Sequence, residues 1–243
     1  FIDCTFGGGG YSKAILKFPD TKVIAIDRDK ITQEFAKNLE KQFPKRFNFF
    51  QEKFSNLSQV IKPNSCPKAV IFDLGLSSFQ ISDKQRGFSF ESKNFLNMEM
   101  GLNKYSAYDI INTLEKESLT KIIKTLGEEK DAKKIANKID EFRKKNLIKT
   151  SSELAHIIKK SKKNYNNYKK NPATKTFQAI RIFVNKEISE LIYGLINSFK
   201  ILPLGGVIAV VTFHSIEDKI VKFFFKNYSE RKNFSRYFPN LQK

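Results

Sequence analysis

The first hundred residues alternate short apolar runs with amphipathic stretches of helical period. Strands are predicted near residues 1–6, 22–27, 47–51 and 68–74. Helices are predicted near residues 12–17, 30–42 and 56–61. This alternation is typical of a parallel sheet covered by helices on both faces, so we expect an α/β fold. The fourth run is apolar almost throughout, which predicts a central strand.

The pattern changes between residues 102 and 175, where strand signals vanish. Helix-capping sequences follow one another there: Ser106-x-x-Asp109, Ser118, Gly127 as a stop, and Thr150-x-x-Glu153. We therefore predict an inserted all-helical domain at 102–175 within a discontinuous α/β domain formed by 1–101 and 176–243.

The α/β pattern resumes after residue 175. A long helix is predicted over Phe177–Phe199, a strand over Val207–Phe213, and a further helix from the box Ser215-Ile-Glu-Asp218. The chain opens inside a strand, and no convincing strand follows residue 228. We expect a native segment before Phe1 and further strands after the last residue.

Four consecutive glycines, Gly7–Gly10, join the first strand to the first helix. Glycine permits left-handed backbone and leaves no Cβ between a ligand and the main-chain N–H groups, as nucleotide-type cofactors require where a strand feeds a helix. A tight turn without a ligand is the simpler alternative. Because one glycine often suffices for such a turn, four in a row favour a ligand loop.

An acidic residue, Asp27, closes the second strand and can accept hydrogen bonds from a ribose diol. A dinucleotide fingerprint that begins at Gly7 or Gly8 would need glycine at Ser12 or Lys13, which disfavours NAD. S-adenosylmethionine is the other common ligand of a strand, glycine turn, helix, strand and acid in this order, so we expect it here.

The net charge of +19 favours a nucleic-acid partner, with an anionic membrane surface second. AT-rich coding, which yields abundant Lys, could account for part of the excess. Residues 102–175 carry 19 Lys and Arg against 9 Asp and Glu. Within them, 159–170 interleaves lysines with Tyr165 and Tyr168, a pattern suited to phosphate contacts and base stacking. A basic loop without a specific role is the alternative.

The two cysteines, Cys4 and Cys66, lie far apart and accompany no histidine cluster, so neither a disulfide framework nor a zinc site is expected. No stretch approaches eighteen apolar residues, and the start does not resemble a signal peptide. We expect a cytoplasmic protein with reduced thiols.

Several polar or aromatic residues fall where predicted strands end, and the carboxyl ends of parallel strands form the usual ligand rim of an open α/β sheet. They are Asp3 to Gly10, Asp27, Phe54, Asp73 to Gln80 and His214. Any one of them could simply cap a helix. Five strand ends on one rim instead predict a site.

Five long blocks along the chain resemble those of one bacterial family. They are Asp3-Cys-Thr-Phe-Gly-Gly-Gly-Gly-Tyr-Ser12, Asp73-Leu-Gly-Leu-Ser-Ser-Phe-Gln80, Arg86-Gly-Phe-Ser-Phe90, Asn171-Pro-Ala-Thr-Lys-Thr-Phe-Gln-Ala-Ile-Arg-Ile182 and Thr212-Phe-His-Ser-Ile-Glu-Asp-Lys-Ile-Val221. In this order they resemble the RsmH (MraW) family. The resemblance implies a Rossmann-like class I S-adenosylmethionine-dependent methyltransferase with an inserted helical domain that recognises the substrate. It implies methylation of the N4 amine of a decoding-centre cytidine in 16S rRNA of the small ribosomal subunit.

The resemblance also implies roles for single residues. Those expected to bind the cofactor are Gly9, Gly10, Tyr11, Asp27, Phe54, Asp73 and Gln80. Within this set, Asp27 is expected on the ribose and Phe54 beside the adenine. Cytosine N4 is a poor nucleophile, so the site must orient the amine and accept hydrogen bonds from its protons. We predict Asp73 as that catalytic acceptor, with Ser77 and Ser78 as polar neighbours; a purely cofactor-binding role is the alternative. No metal and no membrane are expected to take part.

Some positions depart from the family pattern. Tyr11 stands in place of a usual His, and Asn97 and Gly101 stand in place of two usual carboxylates. Asn171-Pro-Ala-Thr-Lys175 replaces His-Pro-Ala-Thr-Arg, and a C-terminal Ser-Ala-Lys-Leu-Arg block is missing. The loss of the two carboxylates leaves open a non-catalytic RNA-binding assembly factor that retains the fold. A small-molecule methyltransferase or NAD enzyme would leave the basic insertion unexplained.

Overall fold

The computed structural model describes residues 1–62, 65–162 and 171–228. Its centre is a parallel sheet in the order β3-β2-β1-β4-β5. The strands are β1 (Ile2–Asp3), β2 (Val23–Asp27), β3 (Phe47–Gln51), β4 (Ala69–Asp73) and β5 (Val207–Val211). The predicted α/β fold is confirmed. The fourth strand lies inside the sheet as predicted, although β1 occupies the middle.

Eleven α-helices are present in the described ranges. The first four are α1 (Gly10–Leu16), α2 (Thr32–Gln42), α3 (Leu57–Val60) and α4 (Ser78–Ser82). The helical stretch that follows contains α5 (Ala107–Thr113), α6 (Lys116–Leu126), α7 (Ala132–Arg143) and α8 (Ser151–Ser161). The last three are α9 (Thr174–Asn185), α10 (Glu187–Ile201) and α11 (Ser215–Tyr228). Within the described ranges, no helix is both long and apolar enough to cross a lipid bilayer.

Two capping boxes explain where helices begin in the helical stretch. Ser106 and Asp109 exchange hydrogen bonds at the start of α5, and Thr150 and Glu153 do so at the start of α8, both as predicted. The prediction of a helix start at Ser118 is wrong, because that residue lies inside α6. The helix begins at Lys116, and its first buried residue is Leu119.

The predicted single helix over 177–199 is also wrong, because α9 and α10 are separate. Lys186 between them has a left-handed backbone with φ 53°. The side chain of Asn185 accepts a hydrogen bond from the N–H of Met100 (2.8 Å) and donates one to the carbonyl of Met98 (2.8 Å). These contacts with a distant loop fix the end of α9.

Three apolar clusters build the core. Two cover the faces of the sheet, and the third packs the helices from α5 to α9. This third cluster also contains residues on both sides of the predicted insertion: Phe88, Leu96, Met98 and Met100 before it, and Phe177, Ala179, Ile180 and Val184 after it. The division at residues 102 and 175 therefore stays a prediction, and the packing extends beyond those bounds.

Candidate active site

A cavity of about 270 Å³ opens at the carboxyl ends of β1, β2 and β4. In the sheet, β1 lies between β2 and β4, so the strand order changes direction at β1. Ligands of open α/β sheets usually bind at this switch point. The predicted residues on its wall are Gly10, Tyr11, Asp27, Phe54, Asp73 and Gln80. The structure thus brings six of the seven predicted cofactor residues to one cavity.

The seventh, Gly9, lies behind the glycine turn. Its φ is 80°, and a Cβ there would come within 2.9 Å of the Phe6 ring. It therefore serves the conformation that starts α1, and direct contact with a cofactor stays a prediction. Gly8 and Gly10 differ, because a Cβ on either would project into open space. Their absent side chains leave the main chain of the turn accessible from the cavity.

Asp27 braces this turn from the end of β2. Its Oδ2 accepts a hydrogen bond from the N–H of Gly7 (2.8 Å), and its Oδ1 accepts one from the N–H of Asp29 (2.8 Å). Burial raises the pKa of Asp27 to about 6, although the two backbone hydrogen bonds oppose that shift. Each carboxylate oxygen retains a second lone pair for a ligand hydroxyl.

Asp73 ends β4 with a carboxylate oxygen that lacks a partner. Its N–H donates to Oγ1 of Thr5 (2.7 Å), which holds the ends of β1 and β4 together. Its Oδ1 is buried and accepts no hydrogen bond from any residue in the described ranges. Burial raises the pKa of Asp73 above its ordinary value. Buried polar atoms normally have a hydrogen-bond partner, so this oxygen is an exception in a residue that lines the cavity.

Asp3, the other carboxylate at a strand end, has an internal role. The hydroxyl of Ser12 donates to its Oδ2 (2.7 Å), and both side chains are fully buried. This bond joins the end of β1 to the first turn of α1 and so fixes the glycine turn between them.

Phe54 forms an aromatic side of the cavity. Its ring meets Phe72 edge to face, with ring centroids 5.4 Å apart. Gly194 on α10 makes room for it, because a Cβ there would approach the Phe54 ring to 2.7 Å. A glycine inside an apolar helix signals such a close approach, and this signal was missed in the sequence.

Gln80 is held from both ends. Its amide Nε2 donates to the carboxylate of Asp29 (2.7 Å), and its Oε1 accepts from the N–H of Ser77 (3.0 Å). Arg86 forms a salt bridge with the same Asp29 carboxylate. Asp29 is a buried acid that sequence reasoning missed, because it lies two residues beyond the recognised strand end. The network fixes the loop after β2 against α4.

The cavity is acidic although the chain is strongly basic. Six carboxylates and one guanidinium, that of Arg28, are among its lining residues. The carboxylates are those of Asp27, Glu52, Asp73, Glu187, Glu190 and Glu217. Such a wall favours a cationic ligand. Four of these six acids were not predicted. Glu187, Glu190 and Glu217 lie on α10 and α11, which reach the cavity only through the tertiary fold, and Glu52 directly follows β3.

Arg28 ties this wall to the loop that contains Gly101. Its Nε donates to the carbonyl of Gly101 (2.6 Å), and its Nη1 donates to the carbonyl of Asn185 (2.8 Å). Gly101 has φ 112°, and a Cβ there would lie 2.2 Å from the Arg28 carbonyl oxygen. A carboxylate side chain cannot occupy position 101 on this backbone, so the departure at Gly101 is a conformational requirement.

His214 lies at the end of β5 against Glu217. Its Nε2 is 3.1 Å from Oε1 of Glu217, whose Oε2 accepts from the N–H of Phe213 (3.0 Å). Although burial opposes it, the hydrogen bonds from His214 and Phe213 hold the pKa of Glu217 below its ordinary value. Glu187 brings a third metal-type ligand within 4.8 Å, but both its oxygens already accept from Arg181. Because the Glu187 oxygens are already occupied, we assign this cluster to internal contacts and not to a metal.

The sequence profile of the MraW methylase family matches residues 1–243. The chain belongs to the MraW methylase family. A relative from Ehrlichia canis named ribosomal RNA small subunit methyltransferase H is 46% identical over 230 residues, which cover 93% of this chain and 77% of the relative. One of the same name from Campylobacter jejuni is 46% identical over 232 residues, covering 95% of this chain and 73% of the relative.

Membership of the MraW methylase family makes the chain a methyltransferase with S-adenosylmethionine as its methyl donor. This cofactor has a sulfonium and an ammonium group, which suit an acidic wall. The predicted family and cofactor are confirmed. The roles of individual site residues stay predictions.

Proposed function

We propose that this methyltransferase binds S-adenosylmethionine in the cavity at the ends of β1, β2 and β4 and methylates the N4 amine of a cytidine in 16S rRNA, at the decoding centre of the small ribosomal subunit. The acidic cavity at the strand-order switch of a MraW methylase carries this proposal. The matched relatives are named for the small-subunit RNA.

The lining residues fit the cofactor at both of its ends. The turn at Gly8 and Gly10 leaves room where a Cβ would project, and Tyr11 lies beside it. Asp27 receives the ribose diol on its free lone pairs, while Phe54 packs against the adenine. Gln80 completes the wall and keeps the Asp29 loop in place. When bound, the cofactor supplies a methyl group already activated by the sulfonium.

Asp73 accepts hydrogen bonds from the amine that is methylated. The lone pair of cytosine N4 is delocalised into the ring, so the amine needs an acceptor that holds it in line. The carboxylate of Asp73, which lines the cavity and has an oxygen without an internal partner, supplies that acceptor, and the Thr5 contact fixes the backbone behind it. We expect the reaction to need no metal, because the sulfonium already activates the methyl group.

A methyl-transfer assay tests the proposed function. Small ribosomal subunits that lack the modification are incubated with the purified chain and cofactor labelled at the methyl carbon. We expect label in 16S rRNA, released as N4-methylated cytidine after digestion. Label on another base or on protein, or none despite saturated cofactor binding, would contradict the proposal.

We also propose that 102–175 docks RNA mainly through phosphates. Lys159 and Lys160 lie near the end of α8 and form no ion pair among the described residues. Lys162, in contrast, is buried against Glu129 and faces away from solvent. Lys163, Tyr165 and Tyr168 lie outside the described residues.

Affinity for small-subunit RNA should fall steeply with salt, and reversing Lys159 and Lys160 to Glu should flatten the log–log slope by up to about 2. The control variant carries the same reversal to Glu at Lys17 and Lys41, which are exposed and lie outside the predicted insertion. Filter binding between 50 and 300 mM salt, about the range over which phosphate contacts are screened, gives the slopes. Equal slopes for the reversal variant and the unaltered chain would show that Lys159 and Lys160 of α8 do not contact phosphates.

Affinity for S-adenosylhomocysteine should fall as the pH drops through about 6, the pKa of Asp27. Protonation removes the acceptor that the ribose diol needs, so the dissociation constant should rise by up to about tenfold per pH unit below that pKa. Calorimetry between pH 5 and 8 measures it. Asp27→Asn is the control, with weaker binding and a flat profile. An affinity that does not change with pH in the unaltered chain would show that Asp27 does not bind the ribose.

The expected partner is 16S rRNA within the small subunit, and we place the reaction in the cytoplasm, where small subunits are assembled. The described helices give no support for membrane insertion.

A further inference from the structure

A second cavity of about 180 Å³ lies beside the first, and Leu76 and Phe213 belong to both walls. It lies between the loop after α4, the start of α9 and the end of β5. None of the predicted cofactor residues lines it. It is therefore a separate space that shares part of its wall with the first cavity.

Four phenylalanine rings are part of its wall. Phe90 and Phe177 meet edge to face with centroids 4.8 Å apart, and Phe88 lies beside them. Phe213 is 67% exposed, and its ring lies so close to Gly75 that a Cβ on that glycine would be 3.2 Å away. A large ring exposed between two cavities offers a face on which a planar base can stack.

Two side chains bring unused hydrogen-bonding groups to this apolar space. Gln178 is half-buried, and its side chain makes no hydrogen bond within the described ranges. Arg181 pairs with Glu187 through Nε (2.9 Å) and Nη2 (2.8 Å), and its Nη1 has no partner in the part of the chain that the structure describes. Glu187 thus fixes the guanidinium and leaves two N–H donors for a ligand.

We propose that this second cavity holds the target base, a single cytosine turned out of the RNA strand, with Arg181 and Gln178 on its hydrogen-bonding edge. The proposal rests on the proposed function and adds the site of base selection to it. Cytosine presents acceptors at N3 and O2, which match the donors of Arg181. Uracil presents an N–H at N3, which opposes a guanidinium.

The relative position of the two cavities orients the reaction. The amine of cytosine lies at one end of the same edge that carries N3 and O2. The proposal places the amine on the side of Leu76 and Phe213, the two residues that both cavities share. Enzymes that act on a base usually turn it into a pocket of this kind, between aromatic walls and polar edge contacts.

Substitutions of Gln178 test the proposal, because this residue lines the second cavity and not the first. Gln178→Met keeps the volume and removes the amide, and Gln178→Trp fills the space. We expect Gln178→Met to raise the KM for small subunits about 2- to 10-fold, as for one lost hydrogen bond. Gln178→Trp should abolish turnover. Both should bind S-adenosylhomocysteine as the unaltered chain does, and Gln59→Met on the exposed surface of α3 is the matched control.

Turnover by Gln178→Trp equal to that of the unaltered chain would overturn the base pocket, while the proposed function would stand. Absence of methyl transfer by the unaltered chain with cofactor bound would instead overturn the proposed function itself. Inhibition of subunit methylation by cytidine and uridine 5′-monophosphates tests the edge contacts separately. Stronger inhibition by the cytidine compound supports them, and equal inhibition would overturn cytosine recognition by Arg181.

Discussion

Asp73→Asn should lower methyl transfer to small subunits by about 10²- to 10⁴-fold, the usual contribution of a positioned proton acceptor. The substitution keeps the size of the side chain. It replaces one carboxylate oxygen with an NH₂ group that cannot accept a hydrogen bond. Because Oδ1 of Asp73 makes no hydrogen bond within the described ranges, little folding energy depends on a hydrogen bond to it.

Two measurements distinguish Asp73 as the acceptor for the amine from Asp73 as a cofactor-binding residue only. Single-turnover rates with saturating cofactor report the transfer step, and calorimetry with S-adenosylhomocysteine reports binding. We expect the rate to fall and the affinity to stay close to that of the unaltered chain. Asp20→Asn, at an exposed site, controls for the lost charge. A weakened affinity with an unchanged single-turnover rate would assign Asp73 to the cofactor alone.

The sheet and its ligand rim follow from local patterns. Continuous apolar runs produce the buried strands β2 and β4, and parallel strands necessarily place their final residues at one edge. Asp27, Asp73 and the glycine turn were therefore predictable from the order of strands alone. Their proximity in the cavity needs no information about the helical stretch.

The opposite wall was not predictable in the same way. Glu187 and Glu190 follow a helix break at Lys186, whose backbone is left-handed. Lysine rarely adopts this conformation, so the local sequence does not predict the break. The break depends on Asn185, whose partners Met98 and Met100 lie more than eighty residues away in sequence. Only the tertiary contact identifies these acids as part of the site.

Gly101 bears on the hypothesis of a non-catalytic assembly factor. The carboxylates absent at Asn97 and Gly101 were its support. The structure shows that the backbone there admits only glycine, with the Gly101 carbonyl bonded to Arg28. The site meanwhile retains six carboxylates, among them the unpartnered Asp73. The loss at position 101 therefore does not indicate a site without acidic groups.

Lys162→Met should destabilise the fold by about 3–5 kcal/mol, the usual cost of leaving one partner of a buried ion pair alone. Lys162 and Glu129 are almost fully buried, and Nζ of Lys162 lies 2.6 Å from Oε2 of Glu129. The same Nζ donates to the carbonyl of Pro172 (2.6 Å), just before α9. The lysine thus joins the end of α8 to the helix that carries Phe177, although its sequence context suggested phosphate binding.

Urea unfolding followed by circular dichroism measures the change in the free energy of unfolding. Lys160→Met, two residues earlier and exposed, should cost less than about 0.5 kcal/mol, as surface substitutions usually do. Adding Glu129→Gln to Lys162→Met should restore part of the loss, because the unpaired buried charge is then removed. Equal stability of the Lys160 and Lys162 variants would show that Lys162 faces solvent and would return it to the surface that we propose for RNA.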